Sequence, residues 1–183
     1  MNFKSRLTVA AALLTSMAAF AQASGTATVS AVAVATRIYV PITLIGGTSL
    51  NFGDIFTSST AGTVTIEPVA SARTATGGAT LATTGSTSVA SFTIGGKRSA
   101  SYVITLPSDS TVTLTGPSGA TAMPVKTFTA SIGGATATTT PTGTLPSTAG
   151  ATQTFTVGAT LSLAANQTDG NYSGSFPVTV AYN

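Results

Sequence analysis

Residues 90–107 read ASFTIGGKRSASYVITLP. Apolar side chains occupy every second position on both sides of the central glycines: Phe92 and Ile94 before them, then Tyr102, Ile104 and Leu106. A period of two places one set of side chains on a single face of a pleated strand. The intervening GGKRS predicts a hairpin turn. It is not a phosphate-binding loop, because Ser91 stands where that motif needs its first glycine and Arg98 where it needs Ser or Thr after Lys97.

The same alternation recurs outward from this stretch. It appears as Val64 and Ile66, Val112 and Leu114, Phe128, Phe155 and Val157, Leu161 and Leu163, and finally Phe176, Val178, Val180 and Tyr182. Gly-Pro, Gly-Gly, Pro-Ser and Asp-Gly pairs punctuate these runs, and no sustained helical period follows residue 23. Short alternating segments between turn signals predict an all-β fold, an antiparallel β-sandwich or barrel. Two Thr-, Gly- and Ala-rich segments, 71–88 and 133–153, are expected as long loops or weak edge strands.

The N-terminus is of another kind. MNFKSR carries two basic residues, LTVAAALLTSMAAF is apolar, and Ala21-Gln22-Ala23 is a small-x-small cleavage site, so residues 1–23 are expected to be a secretory signal peptide. The apolar run is shorter than the ~20 residues a membrane-spanning helix needs. The expected route is export to an oxidising compartment. Cleavage leaves 160 residues with five basic and four acidic side chains, a balance of +1. No basic stripe follows a phosphate backbone, so nucleic acid is not an expected partner. With no cysteine in the chain, no disulfide braces the fold.

The same inventory argues against catalysis. The absence of both His and Cys removes imidazole chemistry and zinc sites of the usual type. Asp54, Asp109 and Asp169 sit in turn-forming contexts and Glu67 at a strand end beside Pro68, scattered rather than paired as glycoside hydrolysis requires. Asp169-Gly170-Asn171 lacks the remaining ligands of a calcium loop. The Asn166 and Asn171 glycosylation triplets read as turn sequence. No enzyme, cofactor or metal is expected.

A different signal lies in residues 26–45, TATVSAVAVATRIYVPITLI, which hold no Gly, Asn or Asp. Twenty extended residues would span roughly 65 Å, whereas sandwich strands usually run ~17–30 Å. Ile38, Val40, Ile42 and Leu44 share a face and predict the first strand of a domain at 37–183. Residues 24–36, with Val29, Val32 and Val34, form a separate extension. It is nearly uncharged and lacks proline, so three outcomes are open: a disordered tail, a fold back onto its own sandwich, or a strand added to another copy. At the other end the chain stops one residue after Tyr182, and if the last strand lies at a sheet edge its apolar face is expected to border an open groove. An unpaired strand at one terminus and an open edge at the other make a head-to-tail contact that propagates.

Five blocks carry a resemblance: VPITLIGGTSLNFGDI (40–55), GTVTIEP (62–68), ASFTIGGKRSASYVITLP (90–107), LTGPSGATAMPVKTF (114–128) and the final residues 155–183. On these the chain resembles bacterial chaperone–usher pilins, and most closely the exported pilin-like family known as domain of unknown function 4402. The C-terminal signature fits too, with Gly170 fourteen residues from the end, then Phe176, Val178 and Val180, and a penultimate Tyr182. The resemblance implies an incomplete immunoglobulin-like fold, held by a periplasmic chaperone, passed to an outer-membrane usher, and completed in the fibre by a neighbour's N-terminal strand. Val29, Val32 and Val34 are the expected donor residues, and Phe176, Val178, Val180 and Tyr182 part of the acceptor groove. The function expected is a structural fibre subunit serving adhesion or biofilm formation. The alternative is a self-complemented, monomeric secreted sandwich acting as a surface coat or carbohydrate-binding module.

Overall fold

A computed structural model of the protein describes residues 35–150 and 152–183. The chain divides into two compact units, Met1–Arg37 and Ile38–Asn183. Of the first, residues 35–37 are described; they are exposed and carry no secondary structure. The expected signal peptide and the donor residues Val29, Val32 and Val34 lie outside the described residues.

The second unit is all-β, with no helix among its described residues and twelve strands, every pairing antiparallel. They are β1 (Thr43–Gly46), β2 (Ile55–Phe56), β3 (Gly62–Ile66), β4 (Arg73–Gly77), β5 (Thr80–Leu81) and β6 (Ala90–Gly95). The later six are β7 (Ser101–Thr105), β8 (Val112–Leu114), β9 (Met123–Ile132), β10 (Thr142–Thr144), β11 (Thr152–Leu163) and β12 (Thr179–Tyr182).

The longest strand, β11, organises the larger sheet. Its twelve residues extend about 40 Å at the usual rise per residue. One edge therefore takes two partners in succession, β6 against residues 152–157 and β3 against 159–163. Strand β9 lines the other edge. Outer positions go to β1 beside β6, β4 beside β3, and β8 beside β9. A second sheet runs β10-β7-β12, and β2 pairs with β5.

Alternation decides what each face meets. Phe155, Val157 and Leu161 of β11, Val64 and Ile66 of β3, and Ile94 of β6 are buried, as are Tyr102 and Ile104 of β7 from the second sheet. They belong to one contiguous core, so the two sheets face each other in a sandwich-like arrangement. Between the buried positions of β11 and β3, Thr160 meets Thr65 on the outer face through their hydroxyls at 2.8 Å. Burial pushes the Tyr102 phenol above its ordinary value of 10.0, while its hydroxyl donates to Gln153 Oε1 at 2.7 Å.

Strand β9 carries an irregularity where its register on β11 shifts between Gly158 and Thr160. Thr127 there adopts φ +50°, a costly conformation for a β-branched residue. Its N–H, freed from the ladder, donates to Asp109 Oδ1 at 2.6 Å. Asp109 thus fastens a bulge as well as occupying a turn.

Two expectations need correction. The GGKRS segment is not a hairpin turn: β6 pairs with β1 and β11, β7 with β10 and β12, so residues 96–100 cross from one sheet to the other. Alternating runs around a glycine pair look alike whether the chain folds back in one sheet or steps across the core. Nor do Ile38 and Val40 extend the first strand's buried face. Ile38 is 85% exposed and Val40 48%, while pairing begins at Thr43 with only Ile42 and Leu44 turned toward the core. Pro41, which lacks an N–H, stands where the ladder has not yet begun. The segment 71–88 supplies the edge strand β4 and the short β5, and 133–153 supplies β10.

Candidate functional site: an open side between two strand edges

The last strand forms later than its alternation suggests. Phe176, Val178, Val180 and Tyr182 are all half-buried, alternating with exposed neighbours, and all pack on the core. Yet only Thr179–Tyr182 is paired, with β7. Residues 174–178 are drawn out beside the sandwich without a main-chain hydrogen bond to any described residue. Phe176 anchors them, its ring 5.1 Å from Phe128 and edge-on to Phe92 at 6.4 Å, while Phe92 stacks on Phe155 at 5.0 Å.

Among the described residues β12 pairs on one side only, and so does β1 at the end of the other sheet. The chain leaving β1 and the chain approaching β12 form the walls of a cleft of about 1000 Å³. Residues 46–57 make one wall and 167–176 the other. The floor is core: Phe92, Val112, Val125, Leu161 and Leu163. Core side chains at the bottom of an opening favour association, and so do the free outer sides of β1 and β12, to which the two walls lead.

Each wall is held by a polar clip that sequence reasoning missed. Arg73 of β4 donates from Nη1 to the carbonyls of Phe52 at 2.8 Å and Asp54 at 3.3 Å, and from Nη2 to Ala82 at 2.9 Å. Gly53 lies between the first two acceptors at φ +70°, where an added Cβ would come within 2.7 Å of Nη1. On the opposite wall Gln167 is buried, donating from Nε2 to Thr121 O at 2.6 Å and Tyr172 Oη at 2.8 Å, and accepting from Ala164 N–H at 3.2 Å. Tyr172 in turn donates to Thr168 O at 2.8 Å. Neither clip had a local signal: Arg73 lies in a low-complexity stretch and Gln167 inside a glycosylation triplet.

Gly170 falls in this second wall at φ +137°, and a side chain there would run into Pro117. Tyr182 lies at the far end of the strand. Its hydroxyl accepts from Lys97 N–H at 2.7 Å and donates to Val40 O at 3.0 Å. The structure therefore brings Phe176, Val178, Val180 and Tyr182 onto one face and puts Gly170 in the adjoining turn. No cluster of three or more His, Cys, Asp or Glu side chains that could hold a metal occurs among the described residues. Asp54 borders the cleft with its Oδ2 accepting from Thr84 Oγ1 at 2.9 Å, and Asp169 lies in the facing wall. The means of recognition present here are main-chain pairing and apolar burial, which suit an extended peptide segment.

Among the described residues, fold and site define an all-β protein: an antiparallel, sandwich-like domain with one open side. The chain belongs to the family described as domain of unknown function 4402, whose model matches residues 42–182. No curated protein and no solved structure matches it significantly.

Proposed function

We propose that this protein is a structural subunit of a bacterial surface fibre, assembled when the N-terminal extension of one copy, residues 24–36, adds a strand to the open side of the next. One observation carries the reading: among the described residues β1 and β12 are each unpaired on the outer side, and the chain leaving the one and approaching the other walls a cleft floored by core side chains. An inserted strand satisfies main-chain groups at about 1 kcal/mol per net hydrogen bond and covers apolar surface at about 25 cal/mol per Å². Residues 24–36 are Thr, Ala, Val and Ser with Gly25 as the one exception, a composition compatible with extended pairing.

On this reading the chain is exported behind a cleaved signal peptide, its open side is covered in the periplasm by a chaperone and presented at an outer-membrane usher, and the fibre serves adhesion or biofilm formation. The pairing is head-to-tail, so each added subunit presents a fresh open side. Catalysis plays no part.

Deleting residues 24–36 from the exported chain tests this. The expected result is a secreted, folded monomer that forms no fibre, against a detergent-resistant ladder from the intact chain. Normal fibres from the deletion would contradict the proposal. A lone monomer from the intact chain would favour self-complementation instead.

A further inference from the structure

Two Asn-x-Ser/Thr triplets, 166–168 and 171–173, fall in or beside turns, and the structure presents them differently. Asn171 and Ser173 are exposed on either side of Tyr172, which is half-buried, its ring over Gly116 and its hydroxyl bonded to Gln167 and Thr168. In an extended chain residues i and i+2 point to the same side, so the carboxamide and the hydroxyl project together, away from the side that Tyr172 takes. Among the described residues no main-chain hydrogen bond ties Asp169, Gly170 or Asn171, and pairing resumes at Ser173 with Thr115. Asp169, also exposed, puts a carboxylate two residues before the asparagine. Asn166 lacks these features. Its backbone is left-handed, φ +50°, which breaks the i, i+2 relation to Thr168, and its N–H donates to Ser58 O at 2.8 Å. The residue two before it is Ala164, which carries no charge and donates its own N–H to Gln167.

We propose that Asn171 is an acceptor for an N-linked oligosaccharide, and that Asn166 is not. The donor class is an oligosaccharide carried on a lipid diphosphate. A bond forms between Asn171 Nδ2 and the anomeric carbon, the bond from that carbon to the diphosphate oxygen breaks, the lipid diphosphate leaves, and the amide proton passes to a base of the transferase. Ser173 supplies the hydroxyl that such a transferase binds, and Asp169 offers a carboxylate to a basic group on it, a charge-assisted contact. This site goes beyond the fibre reading. It lies in the wall 167–176, so the glycan is carried at the border of the cleft.

The purified, folded full chain is incubated with a bacterial oligosaccharyltransferase and a lipid-diphosphate-linked oligosaccharide, and mass spectrometry of the intact protein and of its peptides counts and places the glycan. One glycan, on Asn171, is expected in the parent. Asn171→Gln and Ser173→Ala are each expected to abolish it, and Asn166→Gln to leave it unchanged. Asp169→Asn is expected to slow transfer about tenfold or more, the loss that one contact to a charged group gives. No transfer to the parent, or a glycan placed on Asn166, would overturn the site, and peptide mapping of the parent decides this even where a variant fails to fold. A parental rate in Asp169→Asn would overturn the part assigned to the carboxylate. Because donor and transferase are supplied, failure of export or of fibre formation leaves this result standing.

Discussion

Strand β11 and the final strand carry the same kind of pattern and live in different surroundings. In β11, Phe155, Val157 and Leu161 alternate with Thr and Ser and are at most 2% exposed, because β6 and β3 cover one edge and β9 the other. Toward the C-terminus, Phe176, Val178, Val180 and Tyr182 alternate with small or hydroxyl residues and Pro177, yet stay half-buried, since among the described residues β7 is the only paired neighbour and 174–178 have none. The difference teaches that alternation specifies which face of a strand is apolar and leaves open how many strands will cover it. A closed strand spends its pattern on its own core; an open one keeps part of it for a partner.

Truncation should expose this contrast most strongly. Phe155→Ala is expected to cost about 3–5 kcal/mol in the isolated subunit, since a fully enclosed ring leaves a cavity that the sheet cannot collapse. Phe176→Ala should cost only about 1–2 kcal/mol there, because two ring contacts and partial burial are what it loses. Denaturant unfolding of the two variants checks this, and equal losses would break the comparison. Under the fibre proposal, the ranking narrows once subunits assemble.

Next in size comes the Arg73 clip. Arg73→Ala is expected to cost about 1–3 kcal/mol and to raise exchange selectively in the 46–57 wall, because the Phe52, Asp54 and Ala82 carbonyls lose the guanidinium, with Asp54 O keeping the Ala82 N–H. Arg73→Lys should recover only part, since an ammonium group cannot reproduce the planar fork. A smaller effect, about 1 kcal/mol, is expected for Asp109→Ala, which leaves the Thr127 N–H of the bulge without its acceptor. Asp109→Asn keeps an oxygen there and should lie closer to the parent; thermal unfolding compares the pair.

The mildest change is alkaline. The buried Tyr102 phenol titrates above 10.0, so the folded state holds its proton more tightly than the unfolded chain does. Its contribution to stability is complete below pH 10 and declines as pH rises through the folded value. Tyr102→Phe should flatten that decline in unfolding measurements above pH 10, although it also removes the bond to Gln153.

Much of this fold was legible from the chain because period two survives in nearly every segment. Val64, Ile66, Ile94, Tyr102, Ile104 and Phe155 are buried as their spacing indicates. Pairing was less legible. GGKRS gives the same local signal for a hairpin and for a sheet-to-sheet crossover, and only the partners of β6 and β7 distinguish them. Ile38 and Val40 continue the alternation of Ile42 and Leu44, but the ladder that would bury them has no strand opposite. The common face of Phe176, Val178, Val180 and Tyr182 was readable from alternation, whereas the cleft walls were not. Arg73 and Gln167 hold those walls through main-chain carbonyls far away in sequence, and no residue pattern announces such acceptors.

Amide hydrogen exchange at Gly174, Ser175, Phe176 and Val178, measured on monomer and on assembled material, tests the open side most directly. The account predicts exchange near the unprotected rate in the monomer and slowing by on the order of a hundredfold or more on assembly, as several hydrogen bonds form together. Protection already present in the monomer, or none gained in the assembly, would contradict it.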